Sequence, residues 1–258
     1  MITVTDSDLR GSKYIGEAVP RGAALSGFRF HFENEGHKIK EITALRNESN
    51  VHVNFQDNDG NDPYAFFLKY QDLEAAGAAI ERREFSGKGS TSTVDLPAMP
   101  EDKVAVIQGF SFKKDHSDLE IHSVAINRSR IAFSTDIDIN ELRITWSFNY
   151  VVQFVLVDRD FFSDQGTLEY VNRGTSDEAS SSLEISDRPA VITEFEFAYV
   201  QGGNADERDS HYLRTFELDL TRRNHGSWNM IDHGSWIKFN DGDYDDKVKM
   251  NLSYEVFS

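Results

Sequence analysis

The strongest constraint on the fold is an internal repeat marked by a Phe-x-Phe pattern. The pattern occurs three times, with an apolar residue three positions earlier in each case, and begins at Phe28, Phe110 and Phe195. The copies are roughly 80 residues apart, and self-similarity at a near-constant spacing indicates tandem structural units.

Further landmarks recur in the same order after each marker. A second strand pattern follows, and its first and third copies begin at His37 and His211. These equivalent positions predict a shared structural role for the two histidines, such as a hydrogen bond at a strand edge. An acidic loop then leads to a strand pattern aligned on Tyr70, Tyr150 and Tyr254. The landmarks predict three repeat units of about 80 residues, which span 1–100, 101–188 and 189–258.

Within the units, apolar residues alternate with polar ones, most clearly between 142 and 150 and between 248 and 256. A period of two predicts antiparallel strands with one buried face and one wet face. The fold class is therefore all-β, with antiparallel, β-sandwich-like units. The one segment with helical character is 72–80, which Gly77 weakens. A single unit buries a small core. Two arrangements stay open: separate beads, or closure around a pseudo-threefold axis.

Two acidic loops carry the clearest candidate chemistry. Carboxylate and amide oxygens at alternate positions of a turn can converge on calcium. The alternative is an ordinary turn, because Asp, Asn and Gly form hydrogen-bonded turns without metal. The candidate calcium ligands are Asp57, Asp59, Asn61 and Asp62 in the first loop and Asp241, Asp243, Asp245 and Asp246 in the second.

An insertion in the third unit contains the tetrapeptide His-Gly-Ser-Trp twice. Tryptophan rings stack on sugars and are enriched at protein interfaces. The insertion is therefore a candidate site for a glycan or a protein partner, and the alternative for Trp236 is that it begins a strand and packs in the core. The candidate ligand-binding residues are His225, Trp228, Asp232, His233 and Trp236.

Composition excludes several function classes. The chain has no cysteine, which removes disulfides, thiolate nucleophiles and cysteine-ligated metals. Its formal net charge of −17 repels nucleic acid and anionic membranes. Apolar runs are far too short for a transmembrane helix. The N-terminal sequence lacks the features of a signal peptide, which predicts cytoplasmic synthesis, and the product is expected in an assembled or released particle.

No nucleophile elbow, phosphate loop or dinucleotide fingerprint is present, so no catalytic residue is predicted. The leading hypothesis is a non-enzymatic structural protein that docks with partner proteins, or with itself, in a larger phage-like or secretion-related particle. One alternative is a lectin-like carbohydrate-binding module that uses calcium. The other is a hydrolase on a β scaffold.

Overall fold

Three antiparallel sheets make up the computed structural model, which confirms the prediction of an all-β, sandwich-like fold. Strands such as β6 and β17 alternate buried with more exposed side chains, as the period of two requires, whereas central strands such as β9 are buried along most of their length. The structure describes residues 1–33, 37, 39–48, 50–57, 62–89, 93–114, 120–136, 148–173, 188–200, 213–220, 236–241 and 247–258.

The three sheets draw their strands from distant parts of the chain. In spatial order, sheet A contains β1 (Ile2–Leu9), β6 (Tyr64–Asp72), β3 (Ala23–Phe32), β15 (Leu213–Asp219) and β16 (Trp236–Asp241). Sheet B contains β7 (Ile80–Gly89), β12 (Phe148–Asp158), β9 (Lys103–Lys114), β4 (Ile39–Asn47), β5 (Asn50–Asp57) and β2 (Lys13–Ile15). Sheet C contains β13 (Phe162–Arg173), β17 (Lys247–Phe257), β14 (Ala190–Val200), β10 (Glu120–Ile126), β11 (Arg130–Asp136) and β8 (Thr93–Asp95).

In every sheet the Phe-x-Phe strand is third in the spatial order. The fourth and fifth strands of that order come from another part of the chain. Strand β4 pairs with β9, β10 pairs with β14, and β15 pairs with β3. The two strands that follow each Phe-x-Phe strand in sequence therefore join a neighbouring sheet. The division into units at 100 and 188 stays a prediction.

The core is centred on the first phenylalanine of each Phe-x-Phe strand. The ring centroids of Phe28 and Phe110 are 5.1 Å apart, those of Phe110 and Phe195 are 5.1 Å apart, and those of Phe28 and Phe195 are 5.4 Å apart. All three side chains are buried. Because each ring comes from a different sheet, the inner faces of the three sheets share one hydrophobic core.

A second, smaller core cluster covers the opposite face of β9 and β12. It contains Val104, Val106, Val155 and Val157 and also includes Phe162, at the start of β13. The parts of β9 and β12 that contain these valines are therefore buried on both faces. Their sequences are nearly continuous runs of apolar residues.

The helical expectation for 72–80 is wrong. β6 ends at Asp72, β7 begins at Ile80, and the chain between them makes a single turn. The Ala78 N–H donates to the Leu73 carbonyl at 2.9 Å, and the Gly77 N–H donates to the Glu74 carbonyl at 3.0 Å. This is the Schellman pattern that ends helices, and Gly77 adopts the required positive φ of 94°. The glycine therefore stops the helix after its first turn.

The central phenylalanines are expected to dominate stability. We expect Phe110→Ala to lower the free energy of unfolding by about 3–5 kcal/mol, because a buried phenyl ring is replaced by a cavity. Urea denaturation measures the change. Tyr14→Ala is the control, since Tyr14 is 61% exposed, and its effect should stay below about 1 kcal/mol. A loss below about 1 kcal/mol for Phe110→Ala would contradict its central position.

Candidate metal centre

Two chain connections between sheets A and B start and end at neighbouring positions. The register pairs Phe32 with Tyr64 in sheet A and Ile39 with Asp57 in sheet B. The link from β3 to β4 therefore begins and ends beside the link from β5 to β6. His37 lies on the first link. The second link starts after Asp57, the last residue of β5, and Asp62 lies just before β6.

This arrangement brings His37, Asp57 and Asp62 together. The Nδ1 atom of His37 is 3.4 Å from Asp57 Oδ2 and 3.3 Å from Asp62 Oδ2. One ligand atom from each of the three side chains lies within 4.8 Å of the other two. The side chains of His37 and Asp57 are 14% and 6% exposed, whereas that of Asp62 is 27% exposed. The cluster is thus open to solvent mainly on the Asp62 side.

The two distances suit a shared metal ion better than a shared proton. Hydrogen bonds between imidazolium and carboxylate are shorter, at about 2.7–2.9 Å. Ligand atoms placed about 2.0–2.1 Å from a tetrahedral zinc ion are about 3.3 Å from one another. A divalent cation would compensate the negative charges of both carboxylates.

Aromatic packing orients the imidazole of His37. Its ring contacts Phe32 edge-on, with the centroids 4.6 Å apart, and Phe32 stacks on Phe55 at 4.3 Å. The Nε2 atom of His37 is buried and has no hydrogen-bond partner within the described part of the chain. The ring is therefore held by Phe32, and Nδ1 is the nitrogen that faces the carboxylates.

The ligand types favour zinc or a similar transition ion over calcium. Calcium is bound by oxygen atoms, whereas imidazole nitrogen suits zinc, copper, iron and nickel. Three protein ligands leave a fourth tetrahedral position for water. The calcium expectation stays a prediction. In the first predicted calcium loop, the carboxylates of Asp57 and Asp62 lie close to each other. Asp59 and Asn61 lie outside the described residues.

The second predicted loop cannot be placed in the same way. Asp243, Asp245 and Asp246 lie outside the described residues, and only the backbone of Asp241 is described, at the end of β16. In the sequence, His211, Asp241 and Asp246 align with His37, Asp57 and Asp62. The same three residue types therefore recur in the third predicted unit.

The predicted ligand-binding insertion also falls largely outside the described residues, which leave out His225, Trp228, Asp232 and His233. Trp236 is the first residue of β16 and pairs with Asp219. The strand expected to begin at Trp236 is therefore present, and nothing is described of its side chain.

His37 is the site residue that the sequence argument missed. Its assignment as a structural histidine rested on its equivalence with His211. The first and third units share the aspartates as well as the histidine. This shared set of residue types is the sequence signal that could have indicated a metal role. The separation of His37 from the acidic loop hides their proximity, since β4 and β5 lie between them.

Comparison with known proteins adds no relative. No protein-family model matches the chain, and no curated protein sequence matches it either. Within its described residues, the protein has no helix with the length and apolar character needed to cross a membrane.

Metal binding should be visible as stabilisation of the folded protein. We expect excess Zn²⁺, at about 100 times its Kd, to raise the melting temperature by about 5–10 °C. Ca²⁺ and Mg²⁺ should have smaller effects. The rise should shrink as the pH is lowered, because the imidazole must be deprotonated to bind metal.

Asp57→Asn and Asp62→Asn should each remove most of the zinc effect, whereas Asp95→Asn on β8 should keep it. Asp62→Asn is the safer variant, since Asp62 is more exposed than Asp57. An equal zinc-dependent rise in Asp62→Asn and in the unaltered chain would show that zinc binds elsewhere.

Proposed function

We propose that this protein is a non-enzymatic structural β protein that docks with partner proteins in a larger particle. The observation that supports this most directly is the free side of strand β7. β7 forms ten register pairs with β12, and no other described strand pairs with it. An edge of this kind offers backbone N–H and C=O groups to a strand of another chain.

The regularity of β7 distinguishes it from the other long edge strands. The pairing of β1 with β6 is interrupted between Asp6 and Leu9, and that of β13 with β17 between Phe162 and Asp164. Such irregularities bend an edge and hinder the addition of a further strand. The register of β7 with β12 has no interruption over its full length.

The side chains of β7 favour a complementary partner. Glu81, Arg83, Glu84 and Lys88 are exposed, so charges of both signs line this strand. Charged edges discourage indiscriminate pairing. A partner strand with opposite charges at the facing positions would be accepted, and one with like charges would be rejected.

We also interpret the block as three tandem units closed around a pseudo-threefold axis. The common strand order of the three sheets supports this interpretation, and so does the triangle formed by Phe28, Phe110 and Phe195. In this arrangement each unit gives a two-stranded segment to the next sheet.

Proline substitutions on β7 test the docking proposal. Along a regular antiparallel strand, alternate residues direct their N–H toward the neighbour and away from it. Positions 83 and 86 belong to opposite sets, because they are an odd number of residues apart and the register is unbroken. One of Arg83→Pro and Ser86→Pro should therefore lose a hydrogen bond to β12 and melt at a lower temperature. The other should keep the fold and block the edge.

We expect the folded proline variant to lose the complex or self-association that the unaltered chain shows in size-exclusion chromatography with light scattering. Alanine at the same position is the control and should assemble normally. Normal assembly of the folded proline variant would exclude docking through β7. A chain that is monomeric and without partners in native lysate fractions would contradict the structural function as a whole.

A further inference from the structure

The three Phe-x-Phe strands share a bulge just before the first phenylalanine. The ladder skips Ser26 between β3 and β6, Gln108 between β9 and β12, and Thr193 between β14 and β17. The residue after the bulge differs among the sheets. It is Gly27 in sheet A and Gly109 in sheet B, whereas sheet C has Glu194.

A close backbone approach requires glycine at position 109 and leaves little space for a side chain at position 27. A Cβ atom on Gly109 would lie 2.6 Å from the Ala44 carbonyl oxygen, and one on Gly27 would lie 3.1 Å from Asp219 Cα. β4 continues beyond Gly109 and β15 ends opposite Gly27, so the backbone of a neighbouring strand lies beside each glycine.

Sheet C is built differently at this point. β10 ends at Ile126, opposite Phe195, and does not continue past Glu194. The chain turns instead, because the Asn127 side-chain oxygen accepts hydrogen bonds from the Ser129 and Arg130 N–H groups. Glu194 therefore has no partner on β10, and a groove lies beside it.

The groove has a volume of about 350 Å³ and lies among β9, β13, β14 and β17, which is within the size range of small-molecule sites. Glu194 and Glu255 line it with carboxyl groups, and Arg128 and Arg159 line it with guanidinium groups. The Nη2 of Arg128 donates to the carbonyls of Met99 and Pro100, at 3.3 and 3.1 Å. This anchoring fixes the guanidinium at the groove.

The two carboxyl groups are held in an unfavourable environment. Burial raises the pKa of Glu194, while a hydrogen bond from Ser253 and the charge of Arg128 oppose the shift. Burial also raises the pKa of Glu255, which Arg159 opposes and Asp164 reinforces. Half-buried carboxyl groups that line a groove are typical of binding sites.

We propose that this groove binds an uncharged saccharide. The two arginines and two glutamates that line the groove balance one another in formal charge, which suits a ligand without a net charge. Sugar hydroxyls both donate and accept, which lets one ligand satisfy carboxylate acceptors and guanidinium donors together. Val104 and Ala105 of β9 also line the groove and add apolar atoms to it. The groove is separate from the sites expected from the sequence, and the proposal is independent of docking through β7.

The burial of Glu194 also predicts a pH dependence of stability. A raised pKa means that the folded state binds more protons than the unfolded state above the ordinary carboxyl pKa, so stability decreases as the pH rises through that interval. Glu194→Gln lacks this titration. The stability of the variant relative to the unaltered chain should therefore increase from about pH 4 to pH 7 in urea denaturation. Glu81→Gln provides the reference, and an unchanged difference across this range would contradict the assigned burial.

Saturation-transfer NMR with the full chain tests the saccharide proposal. The probes are glucose, galactose, mannose and N-acetylglucosamine at millimolar concentration, with sialic acid and glucosamine as charged comparators. We expect at least one neutral probe to bind and the charged ones to bind more weakly. Failure of all four neutral probes to bind, or tighter binding of a charged one, would overturn the proposal.

The Thr167→Trp variant tests whether saccharides bind in this groove. Thr167 is exposed on β13 and lines the groove, so an indole there should fill the groove without disturbing the core and abolish saccharide transfer. Thr3→Trp, at an exposed position on β1, should bind like the unaltered chain. Glu255→Gln should weaken binding about tenfold through loss of a charged hydrogen bond. Saccharide binding that survives Thr167→Trp would overturn the assignment to this groove.

Discussion

The mutual packing of Phe28, Phe110 and Phe195 is the contact on which the architecture depends. Each ring belongs to a different sheet, and their centroids form a nearly equilateral triangle with sides of 5.1, 5.1 and 5.4 Å. Aromatic pairs at such distances combine large buried area with favourable edge-to-face geometry. A displacement of one sheet would therefore separate two aromatic contacts at once. The bulge before each phenylalanine serves the same contact, because it adjusts the direction of the strand where the three sheets converge.

Two ion pairs that involve buried carboxylates link neighbouring parts of the sheets around this apolar centre. Lys69 on β6 binds Asp219 on β15 at 2.6 Å, across the intervening strand β3. Lys113 on β9 binds the buried carboxylate of Glu41 on β4 at 3.0 Å. A buried carboxylate without its partner is strongly destabilising. A strand pair that entered the wrong sheet would leave such a carboxylate unpaired, whereas hydrophobic contacts alone would discriminate poorly.

The sequence predicts strands and faces well because alternation reports burial directly, but it does not report which strands pair. The alignment of Tyr150 with Tyr70 and Tyr254 shows this limit. Tyr70 and Tyr254 pair with the apolar residues that precede their Phe-x-Phe motifs, whereas the residue opposite Ile107 is Phe154. A slip of four residues keeps every side chain on the same face, so periodicity cannot detect it. The cluster of His37, Asp57 and Asp62 was anticipated only in part for a similar reason. The aspartates form a visible run, but His37 joins them only through the pairing of β4 with β5.

The assembly of sheet A has a consequence for biosynthesis. Its strand β3 is made early, whereas its neighbour β15 is made much later, and the contact between His31 and Thr215 joins residues 184 positions apart. During translation one side of β3 therefore lacks its partner until most of the chain has left the ribosome, at about 5–20 residues per second. Contacts of such long sequence separation slow folding. The apolar face around Phe28 therefore waits many seconds for the strand that completes its surroundings.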